Sequence, residues 1–240
     1  MNNNISKPFI LIICCAMFIS GCSEDNSSFE TPAPEEDVNT TLATNAGVIS
    51  QDNFSILSED LTPAIFANPP PADSFTFTEL NISVRIGDRN NQVLTDAHTV
   101  FFKTEWGLIQ PSCVTVDGTC SVVWQATGGN IPADHLNTIM AYTVGEESFV
   151  DTNGDGIFND TIFSDQEEPY VDANRNQVFD LGDLITDVIN GNDTTGINGV
   201  HDIGDTFFNG QGCTGALCSV AHKSIFVWDD VELIMDGPPP

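Results

Sequence analysis

The stretch LNISVRI, residues 80–86, decides the fold class. Leu80, Ile82, Val84 and Ile86 alternate with Asn81, Ser83 and Arg85, so every second side chain is apolar. A strand points successive side chains to opposite faces, and this period of two marks one face set into a core. GDRNN, residues 87–91, follows as a turn. Val100, Phe102 and Thr104 alternate again, and Ser121–Gln125 and Thr138–Val144 are β-branched or aromatic runs of strand length. No window between residues 49 and 150 sustains an apolar period near 3.6, which excludes a helical domain there.

The same pattern returns once near the end of the chain, in SIFVWDDVELIM, residues 224–235, with Asp229-Asp230 expected to mark a bulge or bend. Standing alone this run would be an unpaired edge, so it is expected to complete the sheet system begun before residue 150. Together with Asn53–Leu57 and two strands flanking the Cys113 loop, the count is about seven. The expectation is an all-β, immunoglobulin-like β-sandwich from residues 49–150 and 219–237, with residues 151–218 as a long acidic insertion before the last strand.

Formal net charge is −29, with six Lys and Arg. Such a balance argues against nucleic acid and anionic lipid surfaces, both of which carry the same sign. A cation or a basic partner suits it better. The acids concentrate between Asp151 and Asp205, where thirteen stand against one basic residue, Arg175. DTNGDGIFND, DANRNQVFDLGD and GINGVHDIGD repeat there, with Ile157, Val178 and Val200 at equivalent places 21 and then 22 residues apart.

Hard cations such as calcium take oxygen ligands, and a calcium loop offers them at positions 1, 3, 5, 7, 9 and 12, position 7 through its carbonyl. The second unit fills this template with Asp172, Asn174, Asn176, Val178, Asp180 and Asp183. The first offers Asp151, Asn153, Asp155, Ile157 and Asn159, with Gly156 at the sharp turn. Ile162 occupies its twelfth place, so Asp160, Asp165 or Glu168 is required as a substitute. The third keeps Asn198, Asp202 and Asp205 and needs Asp193 to loop in as an early ligand. A solvated acidic loop is the alternative. The repeats resemble the aspartate-rich calcium loops of thrombospondin type 3 repeats and dockerins, and no amphipathic helix pair flanks them as in an EF-hand.

Lys7 followed by the apolar run Pro8–Ser20 reads as an export leader, 1–21, too short for an ordinary membrane span. It ends in Ile19-Ser20-Gly21-Cys22, which resembles the lipobox of bacterial lipoproteins. That resemblance implies lipidation of Cys22, contact with the membrane only through the lipid, and, with Ser23 next, an outer-membrane or cell-surface location. Residues 22–48, rich in Ser, Thr, Asn, Pro and acids, are expected to be a disordered tether reaching roughly 25–30 Å.

Cys14 and Cys15 leave with the leader, so four cysteines remain for an oxidising compartment. The economical pairing is Cys113 with Cys120 and Cys213 with Cys218. CxxC spacing is absent, which disfavours zinc. In the first pair Val114 is expected opposite Thr119, around the four-residue loop Thr115–Gly118.

The residues 81–126 and the run TIMAYTVGEESF from Thr138 resemble bacterial immunoglobulin-like domains of group 1, the invasin and intimin type. The resemblance implies a β-sandwich in a surface protein with a structural or adhesive role and a protein or glycan partner. His98, His135, His201 and His222 show no triad or metal spacing, so the chain is not expected to be an enzyme. The alternatives are a carbohydrate-binding or enzyme-accessory module, requiring aromatic side chains on one exposed face, and a hydrolase using the acidic loops, requiring a carboxylate pair in a cleft.

Overall fold

In the computed structural model, residues 47–66, 76–128, 130–188 and 197–235 are described. The expected leader, Cys22 and nearly all of the tether lie outside them, as does Asp193.

The chain is all-β. Ten strands form among the described residues, β1 (Phe54–Ser58), β2 (Glu79–Ile86), β3 (Thr99–Thr104), β4 (Leu108–Ile109), β5 (Ser112–Val114), β6 (Thr119–Gln125), β7 (Leu136–Gly145), β8 (Tyr170–Val171), β9 (Leu184–Ile185) and β10 (Ile225–Ile234). Two antiparallel sheets of four strands run β1-β2-β6-β4 and β10-β7-β3-β5, and β8 pairs with β9 apart from them. One core lies between the two larger sheets. Ile82, Val84, Val122 and Trp124 enter it from the first sheet, and Val100, Ile139, Ala141 and Val227 from the second. LNISVRI behaves as its alternation requires, since Leu80, Ile82, Val84 and Ile86 are all buried.

β7 and β10 pair without interruption from Gly145↔Ile225 to Leu136↔Ile234. The bulge expected at Asp229-Asp230 is therefore absent. The acids are accommodated by placement, because Asp229 stands at the margin of the inward face and accepts the Ile56 N–H of edge strand β1 at 3.2 Å. Residues 146–224 leave and return between these paired strands.

Both expected disulfides form, Cys113–Cys120 and Cys213–Cys218. The first does not span a simple hairpin. Cys113 on β5 pairs with Val100 in one sheet, while Cys120 on β6 pairs with Val84 in the other, so the bridge joins the two sheets. The tight turn lies farther along, with Val116 opposite Thr119 and not Val114. Asp117 and Gly118 take φ of 49° and 72°, the two left-handed residues that a two-residue turn of the mirror-image type needs.

Candidate cation-binding insertion

The insertion begins before the first aspartate of the repeats. EESFVDTNGDGIFN, 146–159, and EEPYVDANRNQVFD, 167–180, align at an offset of 21 over fourteen positions, six of them identical. Each copy carries a buried glutamate at its second place, Glu147 and Glu168, and continues into an Asx-rich loop.

The two loops fold alike. Asp151 accepts the N–H groups of Gly154 and Gly156 at 2.7 and 2.8 Å, and Asp172 those of Arg175 and Gln177 at 2.6 and 2.7 Å. Asn153 accepts from Asp155, and Asn174 from Asn176. Asp155 accepts from Ile157, and Asn176 from Val178. Positions 4 and 6 have positive φ in both loops, at Gly154 and Gly156 in the first and at Arg175 and Gln177 in the second. Side chains 1, 3 and 5 are thereby drawn inward over their own backbone. The ninth residues join them, with Asn159 donating to Asp155 and Asn176 donating to Asp180.

The closing acid of the first loop is Asp160, of the three substitutes named. It binds the N–H and hydroxyl of Thr152, as Asp183 binds the N–H of Ala173. Ile162 instead starts the return segment, where Val150 donates to its carbonyl, equivalent to Leu184 in β9.

The third unit is a half-loop. Asn198 accepts from Val200 and donates to Asp202, matching positions 5, 7 and 9, and Gly199 has φ +78°. Asp187 supplies the early carboxylate, binding the N–H groups of Asn198 and Gly199. Asp205 belongs to a fourth half-loop and not, as expected, to the third. It accepts from Phe207 at 2.8 Å and from the Asn209 amide at 3.1 Å, with Thr206 between at φ 66°. Asp165, 22 residues before Asp187, plays the equivalent part by accepting from Thr206.

Buried glutamates join the full loops to the half-loops. Glu147 bonds Gln166 N–H and Asn209 N–H through its two carboxylate oxygens, and Glu168 bonds Val188 and Asp202 N–H in the same way. Burial pushes the Glu147 carboxyl up to about 8, the charges of Asp165 and Asp205 adding to an effect that its two N–H bonds offset in part. Burial also raises Glu168, with Asp202 and Asp187 adding charge.

The eighth position of every unit is an aromatic ring, and these rings pair the units. Phe158 stacks on Phe208 at 4.5 Å, and Phe179 on His201 at 4.2 Å. Phe149 meets the first pair edge-on and Tyr170 the second. Cys213 and Cys218 form bridges with Phe158 and Phe208, so the second disulfide fastens the first stacked pair.

Three of the chain's cations fix this acidic body to the sheets. Arg89 forks onto Glu146 at 2.5 and 2.7 Å, donates to the carbonyls of Gly156 and Gln211, and lies over the Phe149 ring. Lys103 donates to the Ile185 carbonyl. Arg175 makes ion pairs with Glu105 and Asp134, which accounts for an arginine where the first loop has Gly154. Met140, on the outer face of β7, is fully buried.

All candidate ligands in the loops are oxygens, which suits calcium and not a soft metal. Among the described residues no three Asp, Glu, His or Cys side chains converge as a ligand set, so the oxygens of Asn and of the backbone would have to contribute. Comparison with protein-family models, curated proteins and solved structures finds no match. Among the described residues no helix is long and apolar enough to cross a membrane.

Proposed function

We propose that this chain is a lipid-anchored surface protein in which an immunoglobulin-like sandwich carries a calcium-ordered insertion, with a structural or adhesive role. The observation that carries the proposal is the repetition, in loops 21 residues apart, of one hydrogen-bond pattern that gathers Asp and Asn oxygens at positions 1, 3, 5 and 9. Carboxylates held this close repel one another, and a bound cation cancels that repulsion.

The strand orders support the immunoglobulin-like part. β1-β2-β6-β4 has the order A-B-E-D and β10-β7-β3 the order G-F-C of that architecture, and under this reading the insertion falls between F and G. The lipobox-like Cys22 supports the anchor, and with it the outer-membrane or cell-surface location. A sandwich of this kind held on a tether presents its loops to a partner outside the cell.

Thermal unfolding of the disulfide-intact protein in EGTA, in millimolar calcium and in millimolar magnesium tests the calcium part. A rise in Tm specific to calcium is expected. Equal Tm in all three would leave a solvated acidic surface and remove the calcium reading.

One observation favours the carbohydrate-binding alternative. Phe101, Tyr142 and Phe226 form a row across β3, β7 and β10 at ring separations of 5.4 and 6.0 Å, with Phe101 38% exposed. Retardation in gels containing soluble polysaccharide, abolished by Phe101→Ala, would support it.

A further inference from the structure

Arg85 carries a charge that the fold does not use. Among the described residues, Arg89 and Arg175 are engaged in ion pairs, and Lys103 and Lys223 donate to the carbonyls of Ile185 and Ser219. The Arg85 guanidinium has neither an ion pair nor a hydrogen bond among those residues. It stands on the outer face of β2, between Val84 and Ile86, which are both buried. In a chain with 35 Asp and Glu against six Lys and Arg, composition supplies carboxylates in excess. Its isolation is a matter of where it is placed.

That place is a cavity of about 280 Å³ whose lining includes Asp52, Asn53, Ser55, Arg85, Asn91 and Gln92. Its walls are held from behind. The buried Asp88 carboxylate accepts the N–H groups of Asn90 and Gln92 at 2.9 Å each. The Asp88 carbonyl accepts the Asn53 amide at 2.7 Å, and Gly87 donates to the Asn53 carbonyl at 2.8 Å. The turn after β2 is thereby tied to the residues before β1, so the cavity exists before anything enters it.

The lining selects the chemistry of an occupant. Ligand pockets begin at roughly 300 Å³ and are mostly apolar, whereas this one is small and polar. Ser55, Asn91 and Gln92 bring groups that both donate and accept, and Asp52 brings an acceptor, a set that matches hydroxyls. Arg85 adds the planar fork that holds a carboxylate by two parallel bonds. The net charge of −29 repels a polyanion. Salt screens the distant acids beyond about 8 Å, so a single carboxylate at Arg85 answers to its neighbours alone.

We infer that this cavity binds a saccharide unit bearing one carboxylate, with Arg85 holding the carboxylate and Asp52, Ser55, Asn91 and Gln92 the hydroxyls. This goes beyond the proposed function. The lining residues belong to the sandwich and not to the insertion, so the site needs no calcium, and Arg85 lies in the other sheet from the Phe101 row.

Calorimetric titration of the full disulfide-intact chain in EGTA with D-glucuronate, its methyl ester, D-glucose and N-acetylglycine tests the inference. Glucuronate is expected to bind, and the ester and glucose about tenfold more weakly or worse, since both lack the charge that pairs with Arg85. N-acetylglycine carries the carboxylate without the hydroxyls and should also bind more weakly. Binding as tight as that of glucuronate would overturn the saccharide and leave a peptide terminus as the ligand. Arg85→Gln changes an exposed side chain and should leave Tm where it was, while weakening glucuronate about tenfold or more. No glucuronate binding by the parent, an ester that binds equally, or an Arg85→Gln variant that binds undiminished would each overturn the site. The calcium reading is decided separately, by the unfolding comparison in EGTA, calcium and magnesium.

Discussion

Arg89 and Glu146 form a two-pronged ion pair that is almost completely withdrawn from water, with side-chain exposures of 7% and 0%. It links the turn after β2 to the residue at which the insertion begins. Removing one partner of a buried pair strands the other charge, at a cost of about 3–5 kcal/mol. Arg89→Met is expected to lower the unfolding free energy by that order in urea titrations. Adding Glu146→Gln should recover part of the loss, and strictly additive effects would show that the pair is not coupled.

The Cys113–Cys120 bridge ties strands of different sheets across a closure of seven residues. Such a closure stabilises by roughly 2–3 kcal/mol through the unfolded chain. The double Cys→Ser variant should lose that amount in denaturant while keeping its far-ultraviolet circular dichroism. A loss below 0.5 kcal/mol, roughly the reach of a neutral surface change, would mean that the two sheets need no staple.

Gly107 has φ +89°, and a methyl group there would meet the Trp124 indole nitrogen at 2.6 Å. That nitrogen donates to the Trp106 carbonyl at 3.0 Å. Gly107→Ala is expected to destabilise by about 1–3 kcal/mol through strain and overpacking, with a shift in tryptophan fluorescence. Unchanged emission and stability would contradict the close approach.

Burial holds the Asp229 carboxyl above its ordinary value of 3.8, against the N–H bonds that lower it. A carboxyl whose folded value is raised keeps its proton longer in the folded chain than in the unfolded one. Its contribution is therefore complete below 3.8 and is lost as pH rises through the raised value. Asp229→Asn retains an acceptor for the Ile56 N–H and removes the charge. The variant should be more stable than the parent near neutral pH, with the difference shrinking toward acid, roughly as the ordinary carboxylate range is reached. A difference independent of pH would exclude this cause.

Much of the fold was legible because it depended on local pattern. The alternation at Leu80–Ile86 and the close spacing of the cysteine pairs each carry their outcome within a few residues. The partner of β5 was not, since Cys113 and Cys120 sit in different sheets and long-range pairing decides that. Asp117-Gly118 did carry a signal for the turn, as Asp-Gly is a preferred pair for a two-residue hairpin. In the insertion, positions 1 to 9 of the full loops were visible as letters. The backbone-bridging part of Glu147 and Glu168 was not, because paired acids read as a solvated run, although the offset of 21 between the two Glu-Glu pairs marks them. Asp165 and Asp187 reach their half-loops through tertiary contact, which no spacing rule within one loop reveals.

Gly145 and Ile225 are directly paired across β7 and β10, so the seventy-nine residues between them enter and leave at one point. In evolutionary terms this makes the acidic body a cassette. A two-residue turn could replace it without moving either strand, and any antiparallel hairpin with a free end offers it the same socket. What the graft cannot carry along is its docking: Arg89, Lys103, Glu105 and Asp134 belong to the host, and a new host would have to present such charges at matching places.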